Sequence, residues 1–105
     1  MAAETVLPGA GRYVLRLYVA GTTSRSMGAI RNIQRFCEKH LAGLYDLEVI
    51  DIYLRPELAA QAQIIAAPTL IKLFPAPARR AIGDLSNEMK VSNALNLGFG
   101  ELHAP

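Results

Sequence analysis

Cysteine is nearly absent from this sequence, since Cys37 is the only one among 105 residues, and an internal disulfide is therefore excluded. No apolar run reaches the roughly 18 residues that a membrane-spanning helix requires, and no basic leader precedes an apolar segment at the N-terminus. An excess of one charge sign is also missing, because 11 Lys and Arg against 9 Asp and Glu leave a formal net charge of only +2. So small an excess does not favour nucleic acid as a partner. We expect a cytoplasmic protein that neither enters a membrane nor binds nucleic acid.

Catalytic and cofactor-binding motifs are missing as well. His40 and His103 are the only histidines, they lie far apart in the chain, and no cysteine or histidine spacing typical of a metal site surrounds them. The sequence contains no phosphate-binding glycine loop and no recognisable Ser-His-Asp arrangement. We therefore predict a protein that is not an enzyme and holds no metal or cofactor.

The remaining composition is that of a folded domain, with 51% hydrophobic and 19% charged residues. Residues 1–11 show no periodicity and predict a flexible lead-in, residues 12–97 predict one domain, and residues 98–105 predict a tail.

The N-terminal half predicts a strand, a helix and a second strand. Residues 13–20 are apolar and β-branched, as is typical of a strand buried on both faces, and residues 47–53 predict the next strand. Between them a helix begins at Ser24 or Ser26 and is closed by Gly43, with an apolar stripe at steps of three and four. That stripe contains Met27, Ile30, Ile33, Cys37 and Leu41. This order predicts parallel strands with a right-handed crossover.

The C-terminal half begins with a helix start at Pro56, followed by an apolar face of Leu58, Ala62 and Ile65 that ends before Pro68. Residues 69–74 and 79–82 predict two strands that could form a hairpin around a proline-rich turn. The last segment is ambiguous. Ser86 followed by Glu88 resembles a helix cap and Val91, Ala94 and Leu95 share a helical face, whereas Leu95, Leu97 and Phe99 alternate as in a strand.

Read with a final helix, the order βαβαββα is that of a thioredoxin-like α/β fold, in which Pro68 would follow a cis peptide bond. Redox chemistry in such a fold needs a reactive Cys-x-x-Cys at the first helix, but residues 21–26 contain no cysteine. Cys37 lies on the apolar stripe and is expected to be a buried hydrophobe.

Lys72, Arg79 and Arg80 accompany the apolar, proline-rich residues 73–77, a combination that suits a protein interface.

Four segments of the sequence, residues 13–21, 47–51, 67–72 and 77–86, resemble the bacterial clock protein family KaiB. The resemblance runs from about Tyr13 to Leu97, and residues 79–86 are its most specific part. It implies a non-enzymatic partner of the hexameric ATPase KaiC, which would bind the N-terminal ATPase ring and modulate the phosphorylation cycle. KaiA or a SasA-type histidine kinase would be further partners.

The resemblance also implies a metamorphic C-terminal half. A self-associated ground state, tetramer or dimer, would have the order βαββααβ, and a monomeric switched state would have the order βαβαββα. We therefore assign Pro68, Ala94 and Asn96 to the fold switch, since the family commonly carries Gly-Leu-Asp where this chain has residues 94–96. The partner-binding residues implied are Lys72, Arg79, Arg80, Pro56, Gln63 and Ile64. The alternative is a redox-inactive thioredoxin-like adaptor in stress or metabolic signalling without a circadian role.

Overall fold

The computed structural model of the chain describes residues 12–83 and 85–97. Seven elements follow one another in the order βαβαββα, which is the helix-ending alternative and a thioredoxin-like arrangement. Their bounds are β1 Tyr13–Val19, α1 Ser24–His40, β2 Tyr45–Asp51, α2 Pro56–Gln61, β3 Thr69–Phe74, β4 Arg79–Ile82 and α3 Glu88–Leu95. The predicted lead-in, the tail, Phe99 and His103 lie outside the described residues, and the domain boundaries stay predictions.

The four strands form one sheet in the order β2-β1-β3-β4. β1 and β2 are parallel, as the βαβ pattern predicts, and β3 is antiparallel to both β1 and β4. The predicted hairpin is confirmed, with Leu70 opposite Ala81 and Ile71 opposite Arg80. Both hairpin strands have the predicted bounds, because the proline-rich turn between them cannot continue a sheet ladder.

Two apolar clusters lie on opposite faces of the sheet. The larger one joins α1 and α3 to the sheet through residues such as Leu17, Ile33, Leu70, Val91 and Leu95. The smaller one contains Tyr18, Ile50 and Ile71, covered by Leu58, Ala62 and Ile64 from α2 and the residues after it. Because α2 has only six residues, it covers much less of the sheet than α1 does.

Several predicted boundaries and faces were wrong. β1 ends at Val19 rather than Ala20, α1 ends at His40 rather than at Gly43, and β2 covers Tyr45–Asp51 rather than residues 47–53. Met27 is 39% exposed, because the buried face of α1 is centred on Ser26, Ala29, Ile33, Phe36 and Cys37. Ser26 can occupy that face because its hydroxyl accepts from the Ala20 amide at 2.9 Å.

The C-terminal segment forms a helix whose cap differs from the predicted one. The side chain of Asn87, rather than Ser86, accepts from the Lys90 amide at 3.0 Å and begins α3. Asn96 ends α3 in the left-handed region with φ of 58°, a conformation that asparagine tolerates better than most residues. The segment is helical because Val91 and Leu95 are buried in the larger cluster and Ala94 packs against it, so that the whole predicted helical face is used.

Candidate functional site

Arg80 connects the edge strand β4 to the end of α2. Its Nη2 donates to the carbonyl oxygen of Ala62 at 2.8 Å and its Nη1 donates to that of Gln63 at 3.2 Å. Carbonyl groups at the C-terminal end of a helix lack partners within the helix and carry partial negative charge. The guanidinium therefore caps α2 and holds the short helix against the sheet.

The three residues 63–65 that follow α2 place their side chains alternately outward and inward. Gln63 has φ of 56°, in the left-handed region, and is exposed. Ile64 is half-buried against the Tyr18 cluster, whereas Ile65 is 94% exposed. Ile65, predicted to lie on the buried face of α2, therefore belongs to the surface. Sequence reasoning missed it because α2 ends at Gln61, four residues before Ile65.

Arg79 and Arg80 point to opposite faces of the sheet, since neighbouring residues of a strand alternate. Arg80 pairs with Ile71 on the α2 face, and Arg79 pairs with Lys72 on the α3 face. Both arginines are exposed. The two predicted cations therefore mark both sides of one edge strand instead of forming a single patch.

Lys72 is buried, contrary to the expectation that it lies on the same exposed surface as Arg79 and Arg80. Only 2% of the residue is exposed, and its Nζ donates to the carbonyl oxygen of Pro75 at 2.7 Å. Burial lowers the pKa of the Lys72 ammonium, and the positive charge of Arg79 lowers it further. In this arrangement Lys72 stabilises the proline-rich turn and offers little surface to a partner.

Pro56 lies at the first turn of α2, at the opposite end of the helix from Ala62. Apart from the buried Lys72, the predicted contact residues thus divide into three groups. Arg80, Gln63 and Ile64 lie together, Pro56 lies one helix length away, and Arg79 lies on the other face. Between α2 and the strands runs an open groove of about 360 Å³. Its lining includes Arg16, Tyr18, Leu58, Ala62, Leu73 and Arg80.

Exposed apolar side chains extend this surface along the sheet. Ile82 at the end of β4 is 58% exposed and Phe74 at the end of β3 is 42% exposed. We define the α2–β4 surface as the exposed edge of the sheet beside α2. It contains Gln63, Ile65, Arg80 and Ile82, together with Arg79 on the other side of the same edge strand. Cations beside exposed apolar groups are suited to binding another protein.

The predicted fold-switch residues lie in separate parts of the C-terminal half. The Ala67–Pro68 peptide bond is cis, as predicted, immediately before β3. Ala94 is half-buried on α3 against the larger cluster, and Asn96 forms the left-handed end of that helix.

The first turn of α1, where thioredoxins carry their reactive thiols, has Thr23 as its cap. The Thr23 hydroxyl accepts from the Ser26 amide at 3.2 Å. Cys37 is fully buried, as predicted, and burial raises the pKa of its thiol to about 12.

Within residues 12–83 and 85–97, no three His, Cys, Asp or Glu side chains group closely enough to hold a metal ion. In the same part of the chain, no helix is both long and apolar enough to cross a membrane.

Comparison with known proteins yields a family match over most of the chain. The family model described as KaiB domain matches residues 16–97. Two relatives named circadian clock oscillator protein KaiB, from Prochlorococcus marinus and Thermosynechococcus vestitus, are each 48% identical over 90 residues. The alignment covers 86% of this chain with both relatives, and 86% and 83% of the relatives respectively.

Similar folds are found among solved structures. The N-terminal domain of SasA from Synechococcus elongatus has a TM-score of 0.69 and 18% identity, covering 97% of this chain and 94% of that domain. The thioredoxin Deadhead from Drosophila melanogaster has a TM-score of 0.67 and 14% identity, covering 85% of this chain and 83% of that protein. Both likenesses establish the thioredoxin-like fold.

Proposed function

Since the chain belongs to the KaiB family, we propose that it is a non-enzymatic clock or regulatory protein of the cytoplasm that binds a KaiC-type ATPase hexamer. It would bind the N-terminal ATPase ring and thereby modulate the phosphorylation cycle of that hexamer. The observation that carries the proposal is the 48% identity to proteins named circadian clock oscillator protein KaiB over 86% of the chain.

The α2–β4 surface supports a protein partner. Arg79 supplies an exposed charge that has no capping role. Ile65 and Ile82 supply exposed apolar area, and a partner that binds here would remove this area from contact with water. Arg80 contributes mainly by holding α2 in place, because both ends of its guanidinium are engaged by backbone carbonyls. Gln63 and Ile64, which follow α2, would then contact the partner directly. Pro56 would contact it from the other end of α2.

The helix-ending arrangement is, in this proposal, the state that binds the hexamer. Pro68, Ala94 and Asn96 would set its balance against a strand-ending state that self-associates as a tetramer or dimer. Two packings of one sequence can interchange when their free energies differ by only a few kcal/mol. The fold shared with the SasA N-terminal domain supports competition between a SasA-type kinase and this chain for one ring, with KaiA as a further partner.

Size-exclusion chromatography of the chain with and without a KaiC-type hexamer tests the proposal. The chain is expected to move to the elution volume of the hexamer. If it stays at its own volume, while purification from the native cell recovers an unrelated protein, the redox-inactive thioredoxin-like adaptor without a circadian role becomes the better account.

A further inference from the structure

β4 is an edge strand, and one side of its backbone faces away from the sheet. Among the described residues it pairs with β3 alone. The Gly83 amide donates to the carbonyl oxygen of Pro68 at 3.2 Å, on the side of β3. Because the backbone groups of successive residues in a strand alternate in direction, Ala81 also faces β3, whereas Arg80 and Ile82 direct their amide and carbonyl groups outward. These outward groups are a template for a further strand.

An open hollow flanks β4 on each face of the sheet. The groove on the α2 side has a volume of about 360 Å³. On the α3 side a larger hollow of about 750 Å³ is lined by residues that include Ala81, Lys90 and Ala94. The side chains of a strand added to β4 would point alternately to these two faces. Both faces therefore have room for them.

The charge around β4 is positive. Arg79 and Arg80 are exposed on opposite faces of the strand, and Lys90 is exposed on α3. The described residues that line the two hollows include no aspartate or glutamate. Ile82 supplies an exposed apolar position beside these cations. A complementary strand would therefore carry acidic side chains opposite the two arginines and an apolar side chain opposite Ile82.

A second copy of this chain fits the edge poorly. Pairing β4 with itself would gather Arg79 and Arg80 of both copies on one short two-stranded ribbon, and like charges on paired strands are destabilising. An acidic segment would neutralise the same arginines. The charge of β4 thus selects an acidic partner over self-association.

We propose that β4 binds an extended acidic segment of a partner protein, which adds to the sheet as a further strand. The added strand runs antiparallel to β4, because antiparallel pairs are slightly more stable per residue than parallel ones. Backbone hydrogen bonds to Arg80 and Ile82 supply affinity, and acidic side chains opposite Arg79 and Arg80 supply specificity. This deepens the proposed function and rests on it for the source of the segment, since β4 is part of the α2–β4 surface.

A short peptide tests this mode of binding without a hexamer. The probe is acetyl-Thr-Val-Thr-Glu-Glu-Thr-amide, which in antiparallel register places its valine opposite Ile82 and its glutamates opposite Arg80 and Arg79. An NMR titration measures its affinity. At saturating peptide, hydrogen exchange of the Arg80 and Ile82 amides should slow at least about threefold relative to the amides of β1, the interior strand. A contact made by side chains alone would leave these two amides unprotected.

A second peptide and two variants separate the contributions of charge and backbone. Replacing both glutamates of the peptide by lysine should weaken binding at least about tenfold. Ile82→Pro removes one outward amide, at an edge position where proline is tolerated. This variant should bind the acidic peptide at least about threefold more weakly than the matched control Ile82→Ala, which loses the side chain but keeps the amide.

Strand addition is refuted if the acidic peptide does not bind saturably, if the Arg80 and Ile82 amides keep their exchange rates at saturation, or if the lysine peptide binds equally well. Equal affinities of Ile82→Pro and Ile82→Ala would also refute it. The wild-type exchange measurement decides the question even if Ile82→Pro folds poorly. Hexamer binding without peptide binding would overturn strand addition alone, whereas peptide binding without hexamer binding would overturn the proposed function alone.

Discussion

Arg80 donates to the carbonyl oxygen of Ala62 across 18 positions of the sequence, at 2.8 Å, and so ties the edge strand to the shortest helix. Because α2 has six residues, its own hydrogen bonds cannot hold it as a stable helix. Its position depends on Leu58 and Ala62, which pack on the Tyr18 cluster, and on Arg80. The α2–β4 surface therefore has its shape only while Arg80 caps the helix.

Replacing Arg80 should destabilise the fold, whereas replacing its neighbour should not. We expect Arg80→Gln to lower the free energy of unfolding by roughly 1 kcal/mol, because two hydrogen bonds to helix-end carbonyls are lost. Arg79→Gln is the matched control, since Arg79 is exposed on the other face, and it should change stability by less than about 0.5 kcal/mol. Urea unfolding followed by circular dichroism measures both. Equal stabilities of the two variants would show that Arg80 has no capping role.

Ser92 is expected to weaken α3. Its hydroxyl is buried and has no hydrogen-bond partner among the described residues. Ser92→Ala should therefore raise the free energy of unfolding by about 1 kcal/mol or more, from the relieved desolvation penalty and a better helix propensity. Asn93→Ala, at the adjacent exposed position, should gain only about 0.5 kcal/mol through propensity. A Ser92→Ala protein that is no more stable than the Asn93→Ala protein would contradict this expectation.

Cys37 should be chemically inert in the folded chain. Burial raises the pKa of its thiol to about 12, so almost no thiolate exists near neutral pH. We expect insulin reduction by the chain to be no faster than by Cys37→Ala, and alkylation by iodoacetamide to require denaturant. Insulin reduction that disappears in Cys37→Ala would refute the prediction.

The raised pKa of the Cys37 thiol should also make the stability of the fold depend on pH in the alkaline range. The neutral thiol is the form that burial favours, so its contribution to stability is complete below the ordinary pKa of 9.0 and is lost as the pH rises through about 12. Compared with Cys37→Ala, the wild-type chain should therefore lose more stability across that interval, as measured by urea unfolding at each pH.

Ala94 and Asn96 should favour the helix-ending state. Glycine at position 94 would cost a helix about 1 kcal/mol. Aspartate at position 96 would put a carboxylate near the negative end of the α3 dipole, which would destabilise the helix by about 0.3 to 1 kcal/mol. We expect Ala94→Gly with Asn96→Asp to lower the ratio of helix-ending to strand-ending molecules by roughly tenfold or more.

Sedimentation at several concentrations measures that shift as a larger self-associated fraction. Gln34→Gly is the control, because it places glycine on the exposed face of α1, in the half that is not expected to switch. If the double variant and the Gln34→Gly protein have the same assembled fraction, packing elsewhere in the C-terminal half decides the fold.

The sequence pattern predicted correctly the bounds of those elements that end at residues, such as proline, which cannot continue a strand. The hairpin strands were predicted with their correct bounds because Pro68 and the proline-rich turn delimit them. Lys72 was misjudged because a lysine in a strand predicts an exposed face, and its burial depends on the Pro75 carbonyl, which only the folded turn presents. The Arg80–Ala62 contact could not be predicted either, since it joins two elements whose distance is set by the packing of the whole sheet.

The affinity of the chain for a KaiC-type hexamer, measured by fluorescence anisotropy, tests the central claim most directly. The wild-type chain should bind saturably, and Arg79→Glu should weaken binding at least about tenfold, because it reverses an exposed charge of the α2–β4 surface. Arg31→Glu is the matched control: it makes the same charge change on the solvated face of α1, and its affinity should stay within about twofold of the wild type. A wild-type chain that shows no saturable binding would contradict the proposed function, and equal weakening by both variants would contradict the assigned surface.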